Sequence, residues 1–334
     1  MSTPKLVVGA NGFLGSHVTR QLVAAGAEVR AMVRPAADTR SIDDLAVTRF
    51  YGDIFDTETL RQAMDGCDDV YYCVVDARAW LRDPAPLFCT NVEGLRNVLN
   101  VAAGADLRRF VFTSTYATVG RRRGHLATEA DVIDRRRLNP YVESRVQAEE
   151  MVLRYVAHTG LPAVAMCIST TYGGGDWGAT PHGAIIAKAV RGELPAMIDD
   201  VQQEVVGIDD AAKALILAAE RGNNGERYII SERMIPLNEV VLVAADEAGV
   251  PPPRWSIPVS ALYVFCTLRS LREQLTGRDD EYNLASLRLL QAEAHLDNRK
   301  AIRELHWQPR PIHESIREAA RYWIASSTPT RSPR

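Results

Sequence analysis

The chain has 334 residues, a formal net charge of -3, 46% hydrophobic residues and 24% charged residues. That length suits a nucleotide-binding domain with a smaller lobe, or two ordinary domains. The composition excludes disorder, collagen and coiled coil, and the near-neutral charge provides no bulk attraction to nucleic acid or an anionic membrane. The five cysteines, Cys67, Cys73, Cys89, Cys167 and Cys266, lack metal-ligand spacing and read as reduced core residues; no metal site is legible. No basic stretch followed by a long apolar run opens the chain, so a cytoplasmic protein is expected. The most apolar helix candidate, residues 260–275, is broken by Arg269 and Arg272 and is too short for a membrane span.

From residue 5 to residue 170, short β-branched runs alternate with helical patterns, the signature of βαβ units. Strands are predicted at Lys5–Val8, 28–33, 47–51, 70–75, 109–114 and 163–169, with helices at 12–25, Thr57–Met64, 87–103 and 139–158. The fold class expected is α/β, a doubly wound parallel sheet of about six strands. Beyond residue 170 the rhythm loosens at glycines 173–175 and prolines 251–253, with helical stretches at 181–191, 209–221 and Leu237–Ala248. The expected organisation is a dinucleotide-binding domain over 1–170, to which 200–225 returns, a smaller mixed C-terminal substrate lobe over 171–325, and a frayed tail over 326–334.

The first strand runs into Gly9-Ala10-Asn11-Gly12-Phe13-Leu14-Gly15, which opens a helix. Such spacing suits a pyrophosphate: Gly9 makes the tight turn, Gly12 lets backbone N–H groups approach, Gly15 lets helix and strand pack closely, and the helix N-terminus favours negative charge. At the end of the second strand, where an acidic residue would accept the ribose hydroxyls of NAD, stands Arg34. A guanidinium there can bind a 2′-phosphate bidentately, which favours NADP over NAD.

Tyr141 and Arg145 lie four apart at the start of a helical pattern, on one face. A tyrosine hydroxyl exchanges protons poorly at neutral pH unless a nearby cation favours the phenolate. Thr113-Ser114-Thr115 ends the preceding strand, at the carboxyl edge where doubly wound sheets bind ligands. A hydroxyl there can polarise a carbonyl.

With these motifs, and with Gly52-Asp53-Ile54, Asn91-Val92-Glu93-Gly94, Gly207-Ile208-Asp209-Asp210 and Leu305-His306-Trp307-Gln308-Pro309, the chain resembles the extended short-chain dehydrogenase/reductases along nearly its whole length. The segments VRAMVRP, starting at Val29, and WLRDP, starting at Trp80, look most like the dihydroflavonol reductase and 3β-hydroxysteroid dehydrogenase branch. The resemblance implies a Rossmann fold in which Asp53 and Ile54 contact the adenine and Cys73, Val74 and Val75 run beside the cofactor. Ile168 and Ser169, with Ser114, also belong to the implied cofactor site. Thr115 holds the substrate oxygen and Tyr141 donates the proton. Arg145 stands where the family has a lysine that binds the nicotinamide ribose; it keeps the charge but cannot shed a proton. Only four of the 39 basic residues are lysine.

The implied activity is NADP(H)-dependent oxidation or reduction of a secondary alcohol or carbonyl on a bulky apolar, steroid-like or aryl substrate. The alternatives are a nucleotide-sugar epimerase or dehydratase with bound NAD, and a cofactor-sensing protein with impaired catalysis. Trp255, Leu262, Tyr263, Phe265 and Leu268 are candidates to line the pocket, and arginines 121–123 and 135–137 to rim it. The expected partners are a small-molecule substrate and, through the helices at 87–103 and 139–158, a second copy in a homodimer.

Overall fold

The structure, a computed structural model, describes residues 3–121, 124–280, 283–290 and 295–327. In chain order the first layer contains β1 (Lys5–Val8), α1 (Phe13–Ala24), β2 (Val29–Val33), β3 (Thr48–Tyr51), α2 (Thr57–Met64) and β4 (Asp69–Tyr72). A continuous helical rod follows, made of α3 (Ala85–Phe88), a π-helical stretch (Cys89–Gly94) and α4 (Leu95–Ala103). Then come β5 (Arg109–Thr115), β6 (Leu126–Ala127), α5 (Pro140–Thr159) and β7 (Ala163–Ile168). The remainder is β8 (Thr170–Tyr172), α6 (Pro181–Val190), β9 (Met197–Asp199), β10 (Gln202–Gly207), α7 (Ile208–Arg221), β11 (Arg227–Ile230), β12 (Arg233–Pro236), α8 (Leu237–Ala248), β13 (Ser256–Pro258), α9 (Val259–Thr276), α10 (Leu284–Leu290), β14 (His295–Leu296), α11 (Arg299–Leu305) and α12 (Ile312–Ser327).

Seven strands form one sheet in the order β11-β7-β5-β4-β1-β2-β3, with every pairing parallel. Both faces are covered, which is why strands such as β7 read as unbroken apolar runs. On one face Val18 and Leu22 of α1 meet Ala211 and Leu215 of α7 and the fully buried Trp307. On the other, Leu60 of α2, Leu95 and Val98 of α4 and Met151 and Val152 of α5 pack over Val70, Phe110 and Phe112. The strand order reverses at β1, so the carboxyl ends of β1 and β4 open the crevice in which such sheets take ligands.

Four expectations change. The sheet has a seventh strand, β11, which lies beyond residue 170; together with α7, α11 and Trp307 it packs into the first layer. β4 stops at Tyr72, so residues 73–75 are loop. The loop is needed because Gly9 turns with φ +81° and approaches the Cys73 carbonyl group and the Val74 side chain closely. The helix expected over 87–103 starts earlier and contains the π-helical stretch. Finally, Cys89 is exposed rather than core.

The smaller lobe is built on a three-stranded sheet, β12-β10-β8, against which α6, α8 and α12 bury Ile186, Val240 and Ile316. Residues 328–334, most of the tail expected to fray, lie outside the described residues, as do Arg122 and Arg123.

Candidate active site

The glycine loop has the form its sequence requires. Gly9 holds a left-handed φ that other residues adopt at a cost. A Cβ on Gly15 would be driven into the carbonyl oxygen of Gly9. Gly12 caps α1 without a side-chain hydrogen bond, so the first backbone N–H groups of that helix are free to meet an anion. Asn11 Nδ2 donates to the Asp38 carbonyl at 3.1 Å and Ser41 Oγ to the Asn11 carbonyl at 3.0 Å, fastening the loop to the segment that follows β2. Phe13 and Leu14 are half-buried in the first turn of α1. Arg34 opens the segment after β2, exposed, with no side-chain partner among the described residues.

Asp53 and Ile54 follow β3. The Asp53 carboxylate accepts from the Phe55 N–H at 3.1 Å, and the Ile54 side chain sits against Gly94 in the π-helical stretch, where a Cβ would collide with it. Next to the glycine loop lie Cys73, Val74 and Val75, the last 44% exposed. Burial pushes the Cys73 thiol up to about 12, so it is a packing group and not a nucleophile.

Asn139 caps α5 by accepting from Val142 N at 2.8 Å, and Pro140 occupies the first turn, which fixes where Tyr141 leaves the helix. The Thr115 hydroxyl and the Arg145 guanidinium lie beside the Tyr141 phenol. Burial pushes the Tyr141 phenol above its ordinary range, while the Arg145 charge and the Thr115 hydroxyl pull the other way. One turn on, Arg145 is 1% exposed. Its guanidinium stacks over Phe112 at 5.0 Å and donates through Nη2 to the Thr113 carbonyl. Its Nε and Nη1 are buried without a partner among the described residues, and so is the hydroxyl of Ser169, just past the end of β7. Ile168, paired in register with Thr115, completes that wall. The structure thus brings Thr115, Tyr141 and Arg145 together at the carboxyl ends of β5 and β7. Ser114 instead turns its hydroxyl to the buried carboxylate of Glu149, which is itself paired with Arg227 at 2.8 Å.

Sequence reasoning missed two features. Asn91, 1% exposed, accepts from Asp76 N at 2.9 Å and donates to the Asp76 carbonyl at 2.9 Å and to Ser144 Oγ at 3.0 Å. Ser144 Oγ in turn donates to the Tyr141 carbonyl at 2.7 Å. This network fixes the cofactor-side loop relative to the turn that carries Tyr141. Asn91 had entered the sequence reading only within the Asn91-Val92-Glu93-Gly94 motif, and the signal for the network was a polar residue inside an apolar helical pattern. The second feature is Tyr116, whose ring carries the Arg121 guanidinium at 5.5 Å.

The other candidates lie elsewhere. Arg135 pairs with Glu150 at 2.5 Å and Arg136 with Asp134 at 2.6 Å, as surface ion pairs. Trp255, Tyr263, Phe265 and Leu268 face outward rather than into a pocket; Leu262 is half-buried. His17 bridges Asp209 at 2.6 Å and the Gly174 carbonyl at 3.0 Å, so it ties the two lobes together. Among the described residues there is no cluster fit to hold a metal ion and no helix long and apolar enough to cross a membrane.

The orphaned N–H groups of Arg145, the orphaned Ser169 hydroxyl and the uncapped helix behind a left-handed glycine fit a dinucleotide, with the tyrosine and threonine hydroxyls set beside it. Fold and site together define an oxidoreductase of the extended short-chain dehydrogenase/reductase class. The chain belongs to the NAD dependent epimerase/dehydratase family, which matches residues 5–231. It is 27% identical over 320 residues to the sterol demethylase protein B of Methylococcus capsulatus, covering 95% of this chain and 97% of that one. It is 28% identical over 322 residues to the 4-hydroxy-2-methyl-3-oxo-4-farnesyl-3,4-dihydroquinoline-1-oxide ketoreductase of Stigmatella aurantiaca, covering 94% and 95%. The crystal structure of gox2253 superposes with a TM-score of 0.85 at 30% identity, covering 98% of this chain and 99% of that chain.

Proposed function

We propose that this protein is an NADP(H)-dependent reductase of a carbonyl on a bulky apolar substrate. One observation carries the reading: a fully buried guanidinium whose Nε and Nη1 have no partner among the described residues stands one helical turn from a tyrosine with a threonine hydroxyl beside it. A buried cation left unsatisfied is costly, and its persistence points to a ligand that completes it.

The chain's own residues have distinct tasks. The glycine loop and the N-terminus of α1 hold the pyrophosphate, Arg34 the 2′-phosphate, and Arg145 and Ser169 the nicotinamide half. When bound, the cofactor supplies the hydride that reduces the carbonyl carbon. Thr115 holds the substrate oxygen. Tyr141 gives its proton to that oxygen, so the carbonyl becomes an alcohol. Burial raises the Tyr141 phenol above its ordinary value, against the pull of Arg145 and Thr115. Arg145 stabilises the phenolate left behind but cannot relay a proton, so Tyr141 regains its proton through hydroxyls or solvent. Arg34, in place of a carboxylate, speaks against the NAD-retaining epimerase reading. Two relatives whose names contain a sterol and a farnesyl dihydroquinoline support an apolar substrate. A homodimer through α4 and α5 in the cytoplasm belongs to the same reading.

The test is NADPH consumption with a panel of cyclic and aryl ketones, in wild type and in Tyr141→Phe. The reading requires consumption that Tyr141→Phe abolishes. Protein that purifies with tightly held NAD and interconverts nucleotide-sugar epimers would replace it with the epimerase reading.

A further inference from the structure

Helix α9 has opposite inner and outer faces. At about 100° per residue, its buried residues Cys266 and Glu273 lie on one side, and Val264, Leu268, Leu271 and Leu275 lie on the other within about 60° of arc. These four are 64%, 62%, 50% and 88% exposed. Trp255, just before the helix, is 75% exposed, and Phe265 flanks the stripe. Scattered exposed leucines need no explanation, but an aligned row of large apolar side chains on one helix does.

The exposed charges along this row are arginines up to residue 278, where the exposed Asp279 follows. Between residues 254 and 278 every exposed charged side chain is an arginine (Arg254, Arg272, Arg278), and the single acid, Glu273, is buried. At the C-terminal end of the helix is a cavity of about 300 Å³ lined by three arginines, Arg269, Arg272 and Arg278, and three acids, Glu273, Asp279 and Asp280. Asp280 is engaged by Arg269 at 2.7 Å, and Asp279 accepts from the Arg82 backbone at 3.1 Å. Arg272 and Arg278 have no ion-pair partner among the described residues.

We propose that α9 docks on an anionic lipid bilayer. The leucine stripe and Trp255 enter the boundary between headgroups and acyl chains, and Arg272 and Arg278 meet lipid phosphates. The same segment is bonded to the loop beyond Asp76, through Arg82 N to Asp279 and Asn283 Nδ2 to the Trp80 carbonyl at 3.0 Å. Docking there sets that side of the cleft facing the lipid. The inference stands independently of which carbonyl the site reduces.

The test is co-sedimentation of the full chain with phosphatidylcholine vesicles with and without about one-third phosphatidylglycerol, at low and high salt. Wild type pellets with the anionic vesicles and is released by salt. Leu268→Glu/Leu271→Glu stays in the supernatant, and Arg272→Gln/Arg278→Gln loses roughly tenfold to thirtyfold in partitioning. All three proteins bind NADPH equally, which shows that the variants are folded. Wild type remaining in the supernatant with both vesicle types overturns the proposal. So does a wild-type dimer by light scattering that Leu268→Glu/Leu271→Glu converts to monomer without any vesicle binding in either.

Discussion

Replacing Arg145 by methionine separates a residue kept for function from one kept for stability. The guanidinium is 1% exposed, with one hydrogen bond to the Thr113 carbonyl, stacking on Phe112, and two N–H groups unsatisfied. Losing the charge-assisted bond costs about 1.5–3 kcal/mol, and losing the stacking about 1 kcal/mol. Against this, burying an ion that is not fully paired costs several kcal/mol, which Met of similar length recovers. The cofactor-free protein is therefore expected to be as stable as wild type or more stable by about 1 kcal/mol. Turnover falls by about 10²–10⁴ because the phenolate loses its cation. Urea unfolding without cofactor, paired with NADPH turnover, reads both quantities. A variant that loses more than about 2 kcal/mol of stability yet keeps its turnover would show that Arg145 is a structural residue and refute the reasoning.

Tyr141→Phe keeps the ring and removes the proton: kcat falls by about 10²–10⁴, while the NADPH affinity measured by calorimetry stays within a few fold. Because burial raises the Tyr141 pKa above its ordinary value, the acid form persists to higher pH. Carbonyl reduction should stay level from neutral pH past the ordinary tyrosine range, and alcohol oxidation should climb with pH; a reduction rate already falling near neutral pH would contradict this. Asn91→Leu leaves the Asp76 backbone N–H and carbonyl unpaired and removes the bond to Ser144 Oγ, and is expected to cost about 3 kcal/mol in urea unfolding, with kcat reduced as the Tyr141 turn loosens. Gly15→Ala forces a Cβ into the Gly9 carbonyl and should weaken both stability and cofactor binding, by about 1–3 kcal/mol in stability by thermal denaturation.

Much of the fold was legible where period and punctuation agree. Lys5–Val8, Thr57–Met64 and Leu237–Ala248 have the bounds the pattern predicts, since apolar runs, an Asp56 cap and a Gly249 stop mark them. β11 was missed because its sheet partner β7 lies some 60 residues away and nothing local announces the pairing. The π-helical stretch at 89–94 is a shift in backbone hydrogen bonding with no side-chain code, so the network that Asn91 makes there was also hidden. Residues 260–275 were legible as an apolar helix, and Leu262, Tyr263, Phe265 and Leu268 were expected to line a pocket, but periodicity does not say whether an apolar face points into a pocket or away from the protein. Thr115, Tyr141 and Arg145 were nameable from motif spacing; the orphaned N–H groups of Arg145 required coordinates.

Calorimetric titration of the wild-type chain with NADPH and NADH side by side tests the central claim most directly, that this cleft is an NADP(H) site. The account predicts that both bind, NADPH more tightly by at least about tenfold through Arg34. Tighter binding of NADH, or binding of neither, would contradict it.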